Sequence, residues 1–478
     1  MKELKMFING KFIENPTGRW IEVLNPATEE IIAQQPDGDA DTAIRAINAA
    51  EAAQAAWEKI PAVERASYLL KIAAGIRSRE KELTDTIVKE GGKVQGLARV
   101  EVLFTADYLE YMAGWARRYE GEIIQSDRPK ESIFLFKKPI GVTTGILPWN
   151  FPFFLIARKA APALVTGNTI VIKPSQLTPI NAYIFAQIVE ESGLPAGVFN
   201  IVNGRGSVVG QELAANPKVG MVSLTGSVAA GQATMAAAAP NITKVSLELG
   251  GKAPAIVMPD ADLDLAAKSI IASRVINTGQ VCNCAERVYV HKSVKPALIE
   301  KLIAGFKEVK YGDPSQISDL DMGPLIDKAA LESVEEKVNK AVKQGCKLLL
   351  GGNRAGKKGY FFEPTILDKA TNKMDIIQEE TFGPVLPIVE FEDVEAAIKW
   401  ANDSEFGLTS SVYTQSLDTA FKLVRALKFG ETYVNRENFE AMQGFHAGWR
   451  KSGIGGADGK HGLEEYLQTH VVYLETQQ

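Results

Sequence analysis

The chain is poor in cysteine and histidine. Only three cysteines, Cys282, Cys284 and Cys346, occur in 478 residues. They form no disulfide framework and suit a reducing compartment, so a cytoplasmic location is expected. The four histidines, His291, His446, His461 and His470, show no metal-ligand spacing with one another or with the cysteines, and no metal is expected. No apolar run is long enough to span a bilayer. The opening stretch MKELKMFINGKFIE lacks the apolar core and small-residue cleavage site of a secretory signal. Charge of one sign is not in excess either. The 53 basic and 58 acidic residues leave a formal net charge of −5, with no bias toward nucleic acid. Short basic runs such as Arg117-Arg118 and Lys137-Lys138 read as solvated surface. Internal repeats and low-complexity linkers are also missing.

What is there is an ordinary globular composition in a chain too long for one hydrophobic core, so two or more domains are expected. Residues 39–117 read as helices, with an acidic start and apolar residues at helical spacing. From about residue 141 the pattern changes. VTTGIL, TIVIK, FNIV and MVSLTG are β-branched runs separated by helical stretches, the signature of an α/β fold with a parallel sheet buried on both faces. A second series, AIVM, RVYVH, LPIVEF and SSVYT, follows LELGGK, which puts a boundary near residue 250. GEIIQSDRPKESIFLFKK reads as a hairpin turning at Asp127-Arg128-Pro129. The C-terminal THVVYLETQQ is a strand with no obvious partner nearby. An isolated hairpin is marginal, so both pieces are expected to pair with another subunit.

Four places carry chemistry. Cys282 lies in NTGQVCNCAER, a polar, turn-like setting that a substrate can reach. A thiolate there is a nucleophile toward carbonyl carbon. The alternative is a small buried hydrophobe, and Cys284 competes on spacing alone. Glu248 in SLELGGK sits among apolar residues, where burial would raise its pKa and fit it for general-base work; the alternative is a structural pair with a lysine. Asn150 in PWNFP is held on a rigid bend, where its amide can donate to a developing oxyanion or close an Asx-turn. The glycines of GRG at 204–206 and GSVAAG at 226–231 each follow a strand, where they allow close approach of a cofactor phosphate or simply a tight turn.

Together these segments resemble the NAD(P)-dependent aldehyde dehydrogenase superfamily over essentially the whole chain. PWNFP, VIKPS, TGS-x-x-x-G, LELGGK, GQVC, EETFGP and KSGIG occur in family order, and Glu248 and Cys282 lie 34 positions apart as the family has them. The resemblance implies a Rossmann-type cofactor domain (1–117 and 141–249), an α/β catalytic domain (250–435), oligomerisation strands (118–140 and 461–478) and a substrate-tunnel loop (436–460). It makes Cys282 rather than Cys284 the nucleophile. Glu248 becomes the base that activates water on the thioester, and Asn150 an oxyanion donor with the Cys282 N–H. Lys173 and Glu380 match positions that bind the cofactor's ribose hydroxyls, and Phe382 packs near the nicotinamide ribose. Trp149 and Ser227 match adenosine- and phosphate-side positions, and Gly206 and Gly226 match the cofactor-facing glycines. Gln176 stands where NAD-specific members often have a glutamate; NAD is the expected cofactor, with NADP possible because an amide does not repel a 2′-phosphate. Asp458 falls in the region where many members have a glutamate that supports proton release, and is a candidate for that role.

The substrate tunnel departs most from members acting on apolar aldehydes. Arg158, Glu440 and His446 occupy positions aromatic in those members, Asn283 adds an amide, and Phe151 stays aromatic. Such polar groups would hydrogen-bond a short hydroxylated aldehyde and be left unpaired by an alkyl chain. The pattern resembles the branch acting on lactaldehyde and glycolaldehyde. The alternatives are another polar semialdehyde, such as succinate semialdehyde with Arg158 on its distal carboxylate, and a non-catalytic structural protein on this fold. CoA-acylating relatives lack the general-base glutamate, so Glu248 implies hydrolysis. The expected partners are a small aldehyde and other copies of the chain, as a homo-oligomer and most simply a tetramer, with no nucleic acid and no membrane.

Overall fold

The structure is a computed structural model that describes residues 2–477. Asp39 accepts from the Thr42 N–H and so starts the helix Ala40–Trp57, whose Ala43, Ala46, Ile47 and Ala50 form a buried stripe. Three more helices, Ala62–Ser78, Glu80–Gly91 and Gln95–Ala113, complete the run expected over 39–117. Gly92 ends the third in the left-handed region at φ 65°, as a helix C-terminus prefers.

Five strands rich in Val and Ile form the parallel heart of an eight-stranded sheet. In spatial order they are Lys244–Glu248, Val219–Thr225, Val142–Ile146, Thr169–Lys173 and Phe199–Ile201. Every residue of Thr169–Lys173 is buried, as a strand covered on both faces requires. Met6–Ile8 and Lys11–Ile13 extend one edge, and Gly453–Ile454 returns from far along the chain to pair antiparallel with Lys244–Glu248 at the other. A second, seven-stranded sheet takes its strands from residues 253–434 and is centred on Ala285–His291 and Ala253–Val257. Chain passes from the first sheet to the second between Glu248 and Ala253.

The expectation of unpartnered outer strands is corrected. Leu467–Glu475 pairs antiparallel with Glu131–Pro139 of the same chain over nine residues, from Leu467 against Pro139 to Glu475 against Glu131. Glu122–Ile124 adds a third strand. The partner was invisible in sequence because it lies more than 300 residues away. This small sheet exposes Ile123, Phe136, Tyr473 and Leu474. Gly459–Glu464 is a short helix ahead of the C-terminal strand, so the strand begins later than residue 461. No helix among the described residues is long and apolar enough to cross a membrane.

Candidate active site

Glu248 is the last residue of the outermost parallel strand of the first sheet, and Cys282 lies just before the strand Ala285–His291 of the second. The two glycines after Glu248 make their approach possible. A Cβ on Gly251 would run into the Cys282 carbonyl, and one on Gly250 would sit 2.6 Å from a Glu380 carboxylate oxygen. Just ahead of the cysteine, Asn277 and Thr278 are held at φ 45° and 60°. That is a strained region for a β-branched residue and the kind of backbone that clusters at functional sites.

Asn150, Glu248 and Cys282 line one cavity. The five residues expected to contact substrate, Phe151, Arg158, Asn283, Glu440 and His446, line it too. Asn150 Nδ2 donates to the Gln280 carbonyl at 3.1 Å, and Asn150 Oδ1 accepts from the Phe151 N–H at 3.1 Å. Its side-chain oxygen therefore serves the local turn while its amide reaches the cysteine loop. The Asn150 carbonyl is held by the buried Lys93 Nζ at 2.7 Å, and Lys93 is ion-paired to Glu101 at 2.5 Å. Glu101 in turn accepts from the Phe153 and Phe154 N–H groups at 2.9 and 3.1 Å. Nothing in the sequence singled out this pair, because its partners come from two segments about fifty residues apart.

The expected rise in the Glu248 pKa is corrected. Burial pushes the carboxyl up, but the charges of Arg158, Lys159 and His446 and a hydrogen bond from Thr225 outweigh it and hold it at about 2. Thr225 Oγ1 donates to Glu248 Oε2 at 2.7 Å. The cysteines separate clearly. Cys282 is partly exposed in the cavity, whereas Cys284 is buried, and burial pushes its thiol up to about 12.

The polar groups of the tunnel do not stand free. Arg158 Nε donates to Asp458 Oδ1 at 3.0 Å, and its Nη2 reaches both Asp458 Oδ2 and, at 3.4 Å, Glu440 Oε1. Asn283 Nδ2 donates to the other Glu440 oxygen. His446 Nδ1 lies 2.5 Å from Glu431, which also accepts from the Tyr433 hydroxyl. Burial and Arg158 push the His446 pKa down, but Glu431 and hydrogen bonds with Cys282 and Glu431 carry it well above the usual value. Opposite these groups the wall is more apolar than expected, with Phe104, Phe154 and Phe439 joining Phe151. Those rings come from two helices and a loop whose convergence no local pattern announces.

The residues matched to cofactor positions cluster along the first sheet's strand ends and the facing loop. Lys173 ends its strand buried, with its Nζ on the Pro174 carbonyl at 2.9 Å, and burial pulls its pKa down to about 8. The Gly206–Gly210 turn lies over the Lys173 stem, and Gly206 borders open space. Gly226 donates its N–H to the Glu248 carbonyl at 3.0 Å. Ser227 caps the helix Val228–Ala238. Gln176 is half-buried, and its carbonyl accepts from Gln35 at 2.6 Å. Glu380 accepts from the Gly251 N–H at 2.8 Å; burial and Glu286 push its carboxyl up to about 7. Phe382, at φ 52°, meets the Trp149 ring edge-on at 5.6 Å. A buried lysine with no acid partner among the described residues, a carboxyl held on the Gly251 N–H and an open helix N-terminus fit the ribose hydroxyls and phosphates of a dinucleotide.

Residues 12–472 match the aldehyde dehydrogenase family. The chain belongs to that family. It is 65% identical over 471 residues to the lactaldehyde dehydrogenase of Escherichia coli (strain K12), covering 98% of each chain. A crystal structure of lactaldehyde dehydrogenase from Escherichia coli superposes with a TM-score of 0.98 over 99% of both chains. At 44% identity over 99% of each chain follows a 3,6-anhydro-alpha-L-galactose dehydrogenase from Vibrio sp. (strain EJY3). As an aldehyde dehydrogenase the chain is an NAD(P)-dependent oxidoreductase acting on an aldehyde.

Proposed function

We propose that this aldehyde dehydrogenase oxidises a short hydroxyaldehyde, lactaldehyde or glycolaldehyde, to its carboxylic acid with NAD. The observation that carries the reading is the meeting of Asn150, Cys282 and Glu248 in one cavity whose wall carries Arg158, Asn283, Glu440 and His446. The 65% identity to lactaldehyde dehydrogenase supports the same substrate.

The Cys282 sulfur adds to the aldehyde carbon, and the carbonyl π pair moves onto oxygen. The resulting oxyanion accepts from the Asn150 amide and the Cys282 N–H. Bound along the first sheet, NAD would supply the hydride acceptor. Loss of hydride leaves an acyl group on the sulfur as a thioester. Glu248, ionised throughout the neutral range, takes a proton from water; the hydroxide adds to the acyl carbon and the C–S bond breaks, returning the thiolate. Thr225, itself held by the Lys159 ammonium, donates to Glu248 and keeps it ionised, and the proton that Glu248 takes up passes on to bulk water.

Lys173 and Glu380 are the proposed ribose anchors, Trp149 and Ser227 the adenosine- and phosphate-side positions, Gly206 and Gly226 the cofactor-facing glycines, with Phe382 packing near the nicotinamide ribose. Gln176 brings no charge against a 2′-phosphate, so NADP is admitted as a weaker second cofactor. The proposed assembly is a homotetramer built through the small outer sheet. Three unpaired cysteines suit the cytoplasm.

Steady-state kinetics on an aldehyde panel test the substrate. Because Arg158, Asn283, Glu440 and His446 already have protein partners, the preference comes from the hydrogen bonds that a substrate hydroxyl adds to these groups, about 1.5–3 kcal/mol each where the group is charged, and tenfold in rate is about 1.4 kcal/mol. Lactaldehyde and glycolaldehyde are therefore expected to exceed propanal and hexanal in kcat/KM by roughly tenfold or more. Equal values for lactaldehyde and propanal would overturn the hydroxyaldehyde assignment.

A further inference from the structure

Asp458 occupies a backbone position that suits glycine. Its φ of 72° and ψ of 163° lie in a region essentially reserved for that residue. Its neighbours fix the loop: His446 and Ala457 exchange backbone hydrogen bonds of 2.9 Å in both directions, and a Cβ on Gly459 would collide with the Gly444 carbonyl. A side chain tolerated in such a conformation needs a return, and the one visible is Arg158. The Asp458 carboxylate takes Nε and Nη2 of that guanidinium, with side chains 1% and 5% exposed. Glu440 approaches Nη2 from the cavity side, and the guanidinium lies 5.2 Å from the centre of the Phe154 ring. Only Nη1 is left without a hydrogen bond among the described residues.

We infer that Asp458 is a specificity-setting clamp, which occupies the guanidinium of Arg158 so that the cavity accepts neutral hydroxyaldehydes and refuses aldehydes with a distal carboxylate. The inference rests on the hydroxyaldehyde reading above. A buried arginine without an acid partner is a strong carboxylate receptor, because its fork matches two oxygens at once. With Asp458 and Glu440 in place, a substrate carboxylate would enter as a third anion around a single cation and meet repulsion instead. Asp458 acts through Arg158, which makes it a positioning residue. The clamp also accounts for a residue other than glycine at this position: the conformation is unfavourable for any side chain, and the ion pair offsets it.

The experiment compares wild type, Asp458→Gly, Asp458→Asn and the double variant Asp458→Gly/Arg158→Met on lactaldehyde, propanal and succinate semialdehyde. Glycine suits the backbone, and asparagine keeps the shape if glycine loosens the loop. The kcat/KM ratio of succinate semialdehyde to lactaldehyde is expected to rise about tenfold or more in Asp458→Gly, chiefly through a lower KM for the semialdehyde, and less in Asp458→Asn. Adding Arg158→Met should cancel the gain. No gain in either single variant, or a gain that survives loss of Arg158, overturns the clamp. The wild-type ratio of lactaldehyde to propanal, read in the same series, separates that failure from failure of the hydroxyaldehyde assignment.

Discussion

Lys159 and Glu248 share one hydroxyl: Thr225 Oγ1 accepts from Lys159 Nζ at 2.9 Å and donates to Glu248 Oε2 at 2.7 Å. The cation behind the hydroxyl is one reason the buried Glu248 carboxyl stands at about 2, and burial lowers Lys159 to about 8. A carboxyl held that low stays ionised far below neutrality, so it does not set an acid limb in wild-type thioester hydrolysis.

Replacing the cation exposes this. Lys159→Met removes a charge that lowers the Glu248 pKa, so the carboxyl titrates at higher pH and the base is lost earlier on acidification. Deacylation measured in single turnovers is expected to begin falling at a higher pH than in wild type, with little change at pH 8. An unshifted acid limb would remove Lys159 from control of the base.

The two neighbouring cysteines make a paired test. Cys282→Ala should lower oxidation by many orders of magnitude, as loss of a covalent nucleophile does. Cys284→Ala removes only a small buried side chain whose sulfur faces the Val281 carbonyl, and should keep most activity. NADH production by each variant decides it, and substantial turnover by Cys282→Ala would overturn the assignment.

Lys173 is expected to cost stability in exchange for cofactor binding. Its folded pKa of about 8 lies below the ordinary lysine value, so the unfolded chain binds more protons between about 8 and 10.5. Apo stability contributed by this group therefore rises with pH across that window and is lowest below it. Lys173→Met should raise the apo melting temperature by roughly 2 °C or more at pH 7 while weakening NAD binding at least tenfold. Differential scanning calorimetry and cofactor titration check the two halves, and a lower melting temperature would contradict the burial cost.

The local chemistry of the site was legible in the sequence, and its long-range electrostatics were not. Cys282 on a polar turn, Asn150 between prolines and Glu248 before two glycines are each defined by neighbours within a few residues, and the structure brings all three to one cavity. The strands VTTGIL, TIVIK and MVSLTG were equally plain, because buried parallel strands write themselves as β-branched runs. The sign of the Glu248 shift was not, since the charges that reverse it come from a helix and a distant loop. Arg158 and Asp458 are 300 residues apart, so Arg158 read as a free substrate contact until its partner was seen. The C-terminal strand failed to show its partner for the same reason.

The outer sheet carries the expectation of assembly. Ile123 is 78% and Tyr473 66% exposed in the single chain, and apolar sheet surface of this kind pairs with another copy. Light scattering at micromolar concentration should give a homo-oligomer, most simply a tetramer. Ile123→Asp with Tyr473→Asp should reduce the assembly state. A wild-type monomer would contradict this reading.

The central claim is a thioester on Cys282 that Glu248 is needed to hydrolyse. Glu248→Gln mixed rapidly with lactaldehyde and NAD, quenched in acid and mapped by peptide mass spectrometry, tests it most directly. The account predicts a lactoyl group on the peptide at Cys282, formed with about one NADH per active site, and steady-state turnover lowered by roughly a hundredfold or more. An adduct at Cys284, no adduct at all, or wild-type turnover by the glutamine variant would contradict it.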